Sequence, residues 1–127
     1  MNTDVQEVWT EALRSGQFCQ GKCHLRIYDP KTEKYEYCCL GLLCELSGLG
    51  QWEVDENKDD GRIVYSYLNE TQYLPVEVAN WAGVDYHQVG DNDDSVAIDQ
   101  GYFVELNDES GYDFRDIADA VTDRYRS

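Results

Sequence analysis

The chain has 127 residues, 42% hydrophobic and 13% aromatic, enough to build one folded domain with a real core although 28% are charged. A net charge of −16 opposes direct binding to nucleic acid or to an anionic membrane and suits a basic partner. No apolar stretch approaches the ~20 residues of a membrane span, and the polar start "MNTDVQEVWT" does not read as a secretory leader, so a cytoplasmic protein with five reduced cysteines is expected.

Residues 3–15 are predicted helical. Thr3 stands at the cap, Gln6 follows three positions later as in a capping box, and Val5, Val8, Trp9, Ala12 and Leu13 form an apolar stripe that Gly16 ends. The next stretch, "SGQFCQGKCH", holds Gly-x-x-x-x-Gly-Lys and two cysteines beside a histidine, which raises a phosphate loop and a zinc site. A phosphate loop needs a strand before it and a helix after it. Here the predicted order is reversed, and Cys23 stands where the magnesium-binding hydroxyl should be. Cys19 and Cys23 have ligand spacing, but Cys39 and Cys44 sit about 140° apart on a helix and cannot turn to one metal. Packing as small hydrophobes suits these thiols better, and no metal or cofactor is expected.

"CHLRIY" and "KYEYC" alternate around "DPKTE" and predict a hairpin. "CCLGLLCELSG" suits a short buried helix over 39–46 that stops at Gly48. "QWEVDENKDDGRIVYSYL" reads as a second strand pair, and "LPVEVANWAG" as a helix with Pro75 in its first turn, Val78 and Trp81 inward and Gly83 at its end. Residues 84–97 are expected to be an exposed loop. Its "DNDDS" hints at calcium, but an EF-hand needs glycine and glutamate where Val96 and Tyr102 stand. "GYFVELNDESG" fits strand or helix. Residues 114–126 are predicted helical, capped by Asp113, with Phe114, Ile117, Ala118, Val121 and Tyr125 on one face. The expectation is α+β: a small antiparallel sheet of two hairpins packed with three to four short helices, a single domain over 1–127. The expected core comprises Trp9, Leu13, Leu40, Leu43, Trp81, Phe114, Ile117 and Val121.

The chain carries no recognisable catalytic signature. His24 and His87 lie in no recognisable motif, and nothing resembles Gly-x-Ser-x-Gly, His-Glu-x-x-His or a dinucleotide fingerprint. The expectation is therefore not an enzyme. Charge, however, is unevenly spread. Residues 14–34 carry five basic side chains (Arg14, Lys22, Arg26, Lys31, Lys34) against Asp29 and Glu33, a local +3 in a chain whose remainder is −19.

The combination of "YCCLGLLCEL", "LPVEVANWAG" and "LNDESGYDFRDIADAV" resembles a family of small proteins of bacteriophages and some bacterial genomes. The matching positions are Trp9 with Leu13–Gly16, Gln20-Gly21-Lys22, Cys38–Cys44, Leu74–Gly83 and Leu106–Asp119. Cys19, Cys23 and the "DNDDSVAIDQ" segment lie outside that pattern. The resemblance implies a phage accessory protein and supplies no catalytic residues.

Two working surfaces are compatible with these observations. In the first, Asp113, Asp116, Asp119 and Asp123 line the outer face of the last helix, the final three within about 60° and over roughly 10 Å. DNA presents one phosphate per ~3.4 Å of strand, so such a row could occupy the basic surface of a host defence or nucleic-acid-handling protein. An ordinary solvated face is the plainer alternative. In the second, Arg14, Gln20, Lys22 and Arg26 hold a small anionic nucleotide whose base stacks on Tyr28 or Tyr35. The basic island alternatively neutralises acidic neighbours within the fold or across a homodimer interface. A structural or housekeeping phage role is a third reading.

Overall fold

A computed structural model describes residues 1–84 and 98–125. Its elements in chain order are α1 (Thr3–Arg14), β1 (Cys19–Gln20), β2 (Arg26–Asp29), β3 (Lys34–Tyr37), α2 (Cys39–Ser47), β4 (Trp52–Asn57), β5 (Ile63–Tyr67), α3 (Val76–Ala82), α4 (Ile98–Asp108) and α5 (Phe114–Arg124). The fold is α+β. Both expected hairpins form, β2 with β3 and β4 with β5, and β2 joins β5 to merge them into one sheet. The sheet order is β1-β3-β2-β5-β4.

Three local features differ from the sequence expectation. The sheet is mixed rather than purely antiparallel, because Cys19 and Gln20 add a short parallel strand beside β3. Two residues carry too little alternation to announce a strand, and this pairing depends on the neighbour. The ambiguous segment near 101–111 is helical, bringing the helices to five among the described residues. Phe103, Leu106 and Asn107 are buried at helical spacing there, which outweighs the strand-like "YFV". The cap of α1 also moves by one residue: the Asn2 side chain, not Thr3, accepts the Val5 N–H at 3.1 Å. The loop expected over 84–97 lies outside the described residues apart from Val84, which is buried.

The central helix is α2, and its sequence explains why. It is apolar on nearly every side, and Cys39 through Cys44 are all buried. A β-carbon at Gly41 would overlap the Leu25 carbonyl, so only glycine lets α2 pass this close to the strand. The Cys38 thiol accepts the Gly41 N–H at 3.4 Å, acting as the helix cap. Gly48 ends α2 in the left-handed conformation at φ 64°, which glycine adopts without strain.

Around α2, Trp9 is buried with its indole N–H donated to the Cys39 carbonyl at 3.0 Å and its ring edge-on to Phe103 at 5.3 Å. Leu13, Leu40, Leu43, Phe114, Ile117 and Val121 are buried in the same cluster, as their spacing implied, whereas Trp81 is only partly buried against it. No helix among the described residues is long and apolar enough to cross a membrane.

Candidate functional site

The "QGKC" turn is held by the far end of the chain. Gln20 Nε2 donates to Asn107 Oδ1 at 3.0 Å and to the Tyr112 carbonyl at 2.8 Å. Asn107, fully buried, returns Nδ2 bonds to the Gly21 carbonyl and to Asp108 Oδ1, both at 2.8 Å. Asp108 in turn accepts the Cys23 N–H at 3.0 Å, securing Cys23 at φ 71°, a conformation that side chains other than glycine rarely adopt. The turn is thus a clamp between β1 and the end of α4. Gln20 serves that clamp, and Lys22 lies exposed upon it.

The acidic row is partly committed to structure. Asp113 accepts the Asp116 N–H at 2.9 Å, and Asp116 accepts the Asp113 N–H at 3.3 Å, a reciprocal capping box that starts α5. Asp119 accepts from Arg14 at 2.9 Å in an exposed ion pair. The two surfaces separated in the sequence, basic and acidic, therefore meet where α1 packs beside α5.

Next to the row, on the other side of Arg14, lies a groove lined by Glu7 and Glu11 of α1. Glu7, Glu11 and Arg14 fall within about 60° on α1, opposite its buried Val5, Trp9 and Leu13. The spacing of Glu7 and Glu11 was legible, but nothing local says that α1 and α5 are neighbours. Beside Asp116, Asp119 and Asp123 runs an open groove of about 720 Å³, flanked by the exposed rings of Tyr102 and Tyr112 and entered by Arg14. The Arg124 guanidinium lies 4.7 Å from the Tyr102 ring centre. Through Arg14 the groove already holds a cation of the chain itself.

Arg26 stands apart from the rest of the island. It occupies the middle of the sheet, paired in register with Tyr37 on one side and Tyr65 on the other. Its guanidinium carbon is 3.8 Å from the Tyr35 ring centre, 4.5 Å from Tyr65, 5.2 Å from Trp52 and 6.0 Å from Tyr37. The structure therefore does not assemble Arg14, Gln20, Lys22 and Arg26 into one pocket. Arg14 turns to α5, Gln20 to Asn107, and Arg26 meets Tyr35, which in turn packs against Tyr28.

The thiols have little nucleophilic character where they are buried. Desolvation pushes Cys38 up to about 12, and Cys39 and Cys44 well above the ordinary thiol value. Burial, with Lys58 next, lowers the pKa of His24. No three His, Cys, Asp or Glu side chains among the described residues stand close enough to hold a metal ion.

A domain family of unknown function, DUF8296, matches residues 1–125, and the chain belongs to it. No curated protein and no solved structure matches the chain.

Proposed function

We propose that this protein is a non-enzymatic accessory binder of a bacteriophage, acting in the host cytoplasm on a host defence or nucleic-acid-handling protein that presents a basic surface. The phage setting rests on the motif resemblance of Cys38–Cys44, Leu74–Gly83 and Leu106–Asp119. One observation carries the binding reading: where α1 packs beside α5, the groove along Asp116, Asp119 and Asp123 and the groove lined by Glu7 and Glu11 adjoin at Arg14, so exposed carboxylates of both helices border one another there. Five carboxylates on two rigid helices make a better template for cationic side chains than a single row. The exposed Tyr112 ring adds a face on which an arginine or lysine of the partner can rest. Charge complementarity of this kind speeds encounter and weakens as salt rises.

The test is capture of host proteins on immobilised protein at low and at high salt, followed by direct binding of the retained partner. A basic host protein should be held at low salt and released at high salt. It should be lost when Asp116, Asp119 and Asp123 are all replaced by asparagine. Arg14→Ala removes a cation that competes for Asp119 and should tighten the same complex. Retention that ignores both salt and the triple substitution would refute the acidic surface as the working face.

A further inference from the structure

Arg26 carries a charge that the described fold does not answer. The chain has 26 acidic residues, yet no carboxylate among the described residues lies within ion-pairing distance of this guanidinium. Its buried Nε–H also has no acceptor among the described residues. Tyrosine and tryptophan rings cover the flat faces of the group, but a guanidinium presents its N–H donors along its edge, where only an acceptor in the same plane satisfies them. The Nε–H is enclosed beneath the rings, so it is at the terminal Nη edge of the group that an oxyanion would answer the charge.

The same sheet face offers aromatic surface. Tyr35 is 43% exposed, and Tyr28 meets it at 5.0 Å between ring centres with a 51° tilt. Tyr65 follows 6.0 Å beyond Tyr35. These residues share a face because Tyr28 is paired directly with Tyr35, and Arg26 with Tyr65. Strand alternation places Arg26 and Tyr28 on one side.

We propose that this sheet face binds a mononucleotide, its phosphate at the edge of Arg26 and its base stacked on Tyr35 and Tyr28. A carboxylate peptide would satisfy the guanidinium but leave the rings uncovered, whereas a nucleotide answers both. A polynucleotide is disfavoured, because every further phosphate would enter the field of a protein of charge −16. The site is independent of the acidic surface on α1 and α5, and its salt dependence is opposite. Salt screens the long-range repulsion between ligand and protein, so affinity should hold or rise as salt increases.

The purified chain is titrated with AMP and UMP, and separately with adenosine, inorganic phosphate and hexaglutamate, by calorimetry with the tryptophan emission followed in parallel. Saturable binding of a mononucleotide is expected, weakened about tenfold or more when either the base or the phosphate is missing. Arg26→Gln and Tyr35→Ala should each reduce it by about tenfold or more, while Asp116, Asp119 and Asp123 replaced together by asparagine leave it within about twofold. Tyr35→Ala changes a surface ring outside the core and decides the matter if Arg26→Gln fails to fold. No saturable binding at millimolar nucleotide, equal binding by Tyr35→Ala, or preference for hexaglutamate would overturn the proposal.

Discussion

At Gly41 a single hydrogen decides whether the central helix can lie against its strand. A methyl group there would overlap the Leu25 carbonyl, and backbone on both sides would have to move. Gly41→Ala is expected to cost at least about 1–3 kcal/mol, the usual range for overpacking, read as a fall in denaturation midpoint. Gly50→Ala is the control, since its added carbon meets only the flexible end of Leu68 and should cost clearly less.

The buried thiols give a second residue-level expectation. Cys38, Cys39 and Cys44 have folded pKa values raised above their unfolded value by burial. Raised acids hold their protons longer in the folded state, so stability is intact below pH 9 and declines as pH climbs toward about 12. Each such thiol removes about 1.4 kcal/mol per pH unit in that window. Thermal melts from pH 7 to 10.5 in reductant should show this decline, and Cys44→Ala should flatten it. A melting temperature constant across that range would contradict the burial of these thiols.

Among the elements, α5 has the most separable roles. Its buried face, Phe114, Ile117, Ala118 and Val121, joins the core, and its N-terminus is closed by Asp113 and Asp116. Ile117→Ala is expected to cost about 2–5 kcal/mol, and Asp113→Ala about 1 kcal/mol through the lost cap. Asp119→Asn, at an exposed ion pair, should change stability by less than about 1 kcal/mol. Urea unfolding of the three variants orders them, and an Asp119 effect as large as that of Ile117 would mean the acidic face is structural. The clamp between β1 and the end of α4 makes Asn107 the exception among polar residues. Its fully buried amide bonds Gln20, Gly21 and Asp108 at once. Losing it strands buried partners, and Asn107→Ala should destabilise more than Gln20→Ala.

For the whole molecule, the excess of negative charge acts on stability as well as on partners. Arg14–Asp119 and Arg62–Asp60 match two carboxylates with cations among the described residues, in a chain with 26 acidic and 10 basic residues. A net charge of −16 repels itself in the compact state, so added sodium chloride should raise the melting temperature by several degrees. The same salt should weaken the proposed host complex while sparing nucleotide binding to the sheet. Melting curves that ignore salt would show the charges to be too far apart, or too well screened, to matter to folding.

The helices with long one-sided stripes were determined by sequence alone. Val5, Trp9 and Leu13 on α1, and Phe114, Ile117 and Val121 on α5, recur at a period that only a helix buries on one side. The two hairpins were equally legible, because their strands alternate around turn residues that close locally. What tertiary structure decided is everything that depends on a neighbour distant in sequence. The two-residue β1 exists because β3 lies beside it, and "YFV" becomes helical because Phe103 must meet Trp9. Arg14 leaves the basic island because Asp119, 105 residues away, offers it a carboxylate. Arg26 gains its aromatic surroundings because three strands and a tryptophan converge on it. Periodicity records which side of an element is apolar, since that is a property of the element itself. Which elements adjoin is a property of the packed core, where volume and unsatisfied polar groups are settled jointly.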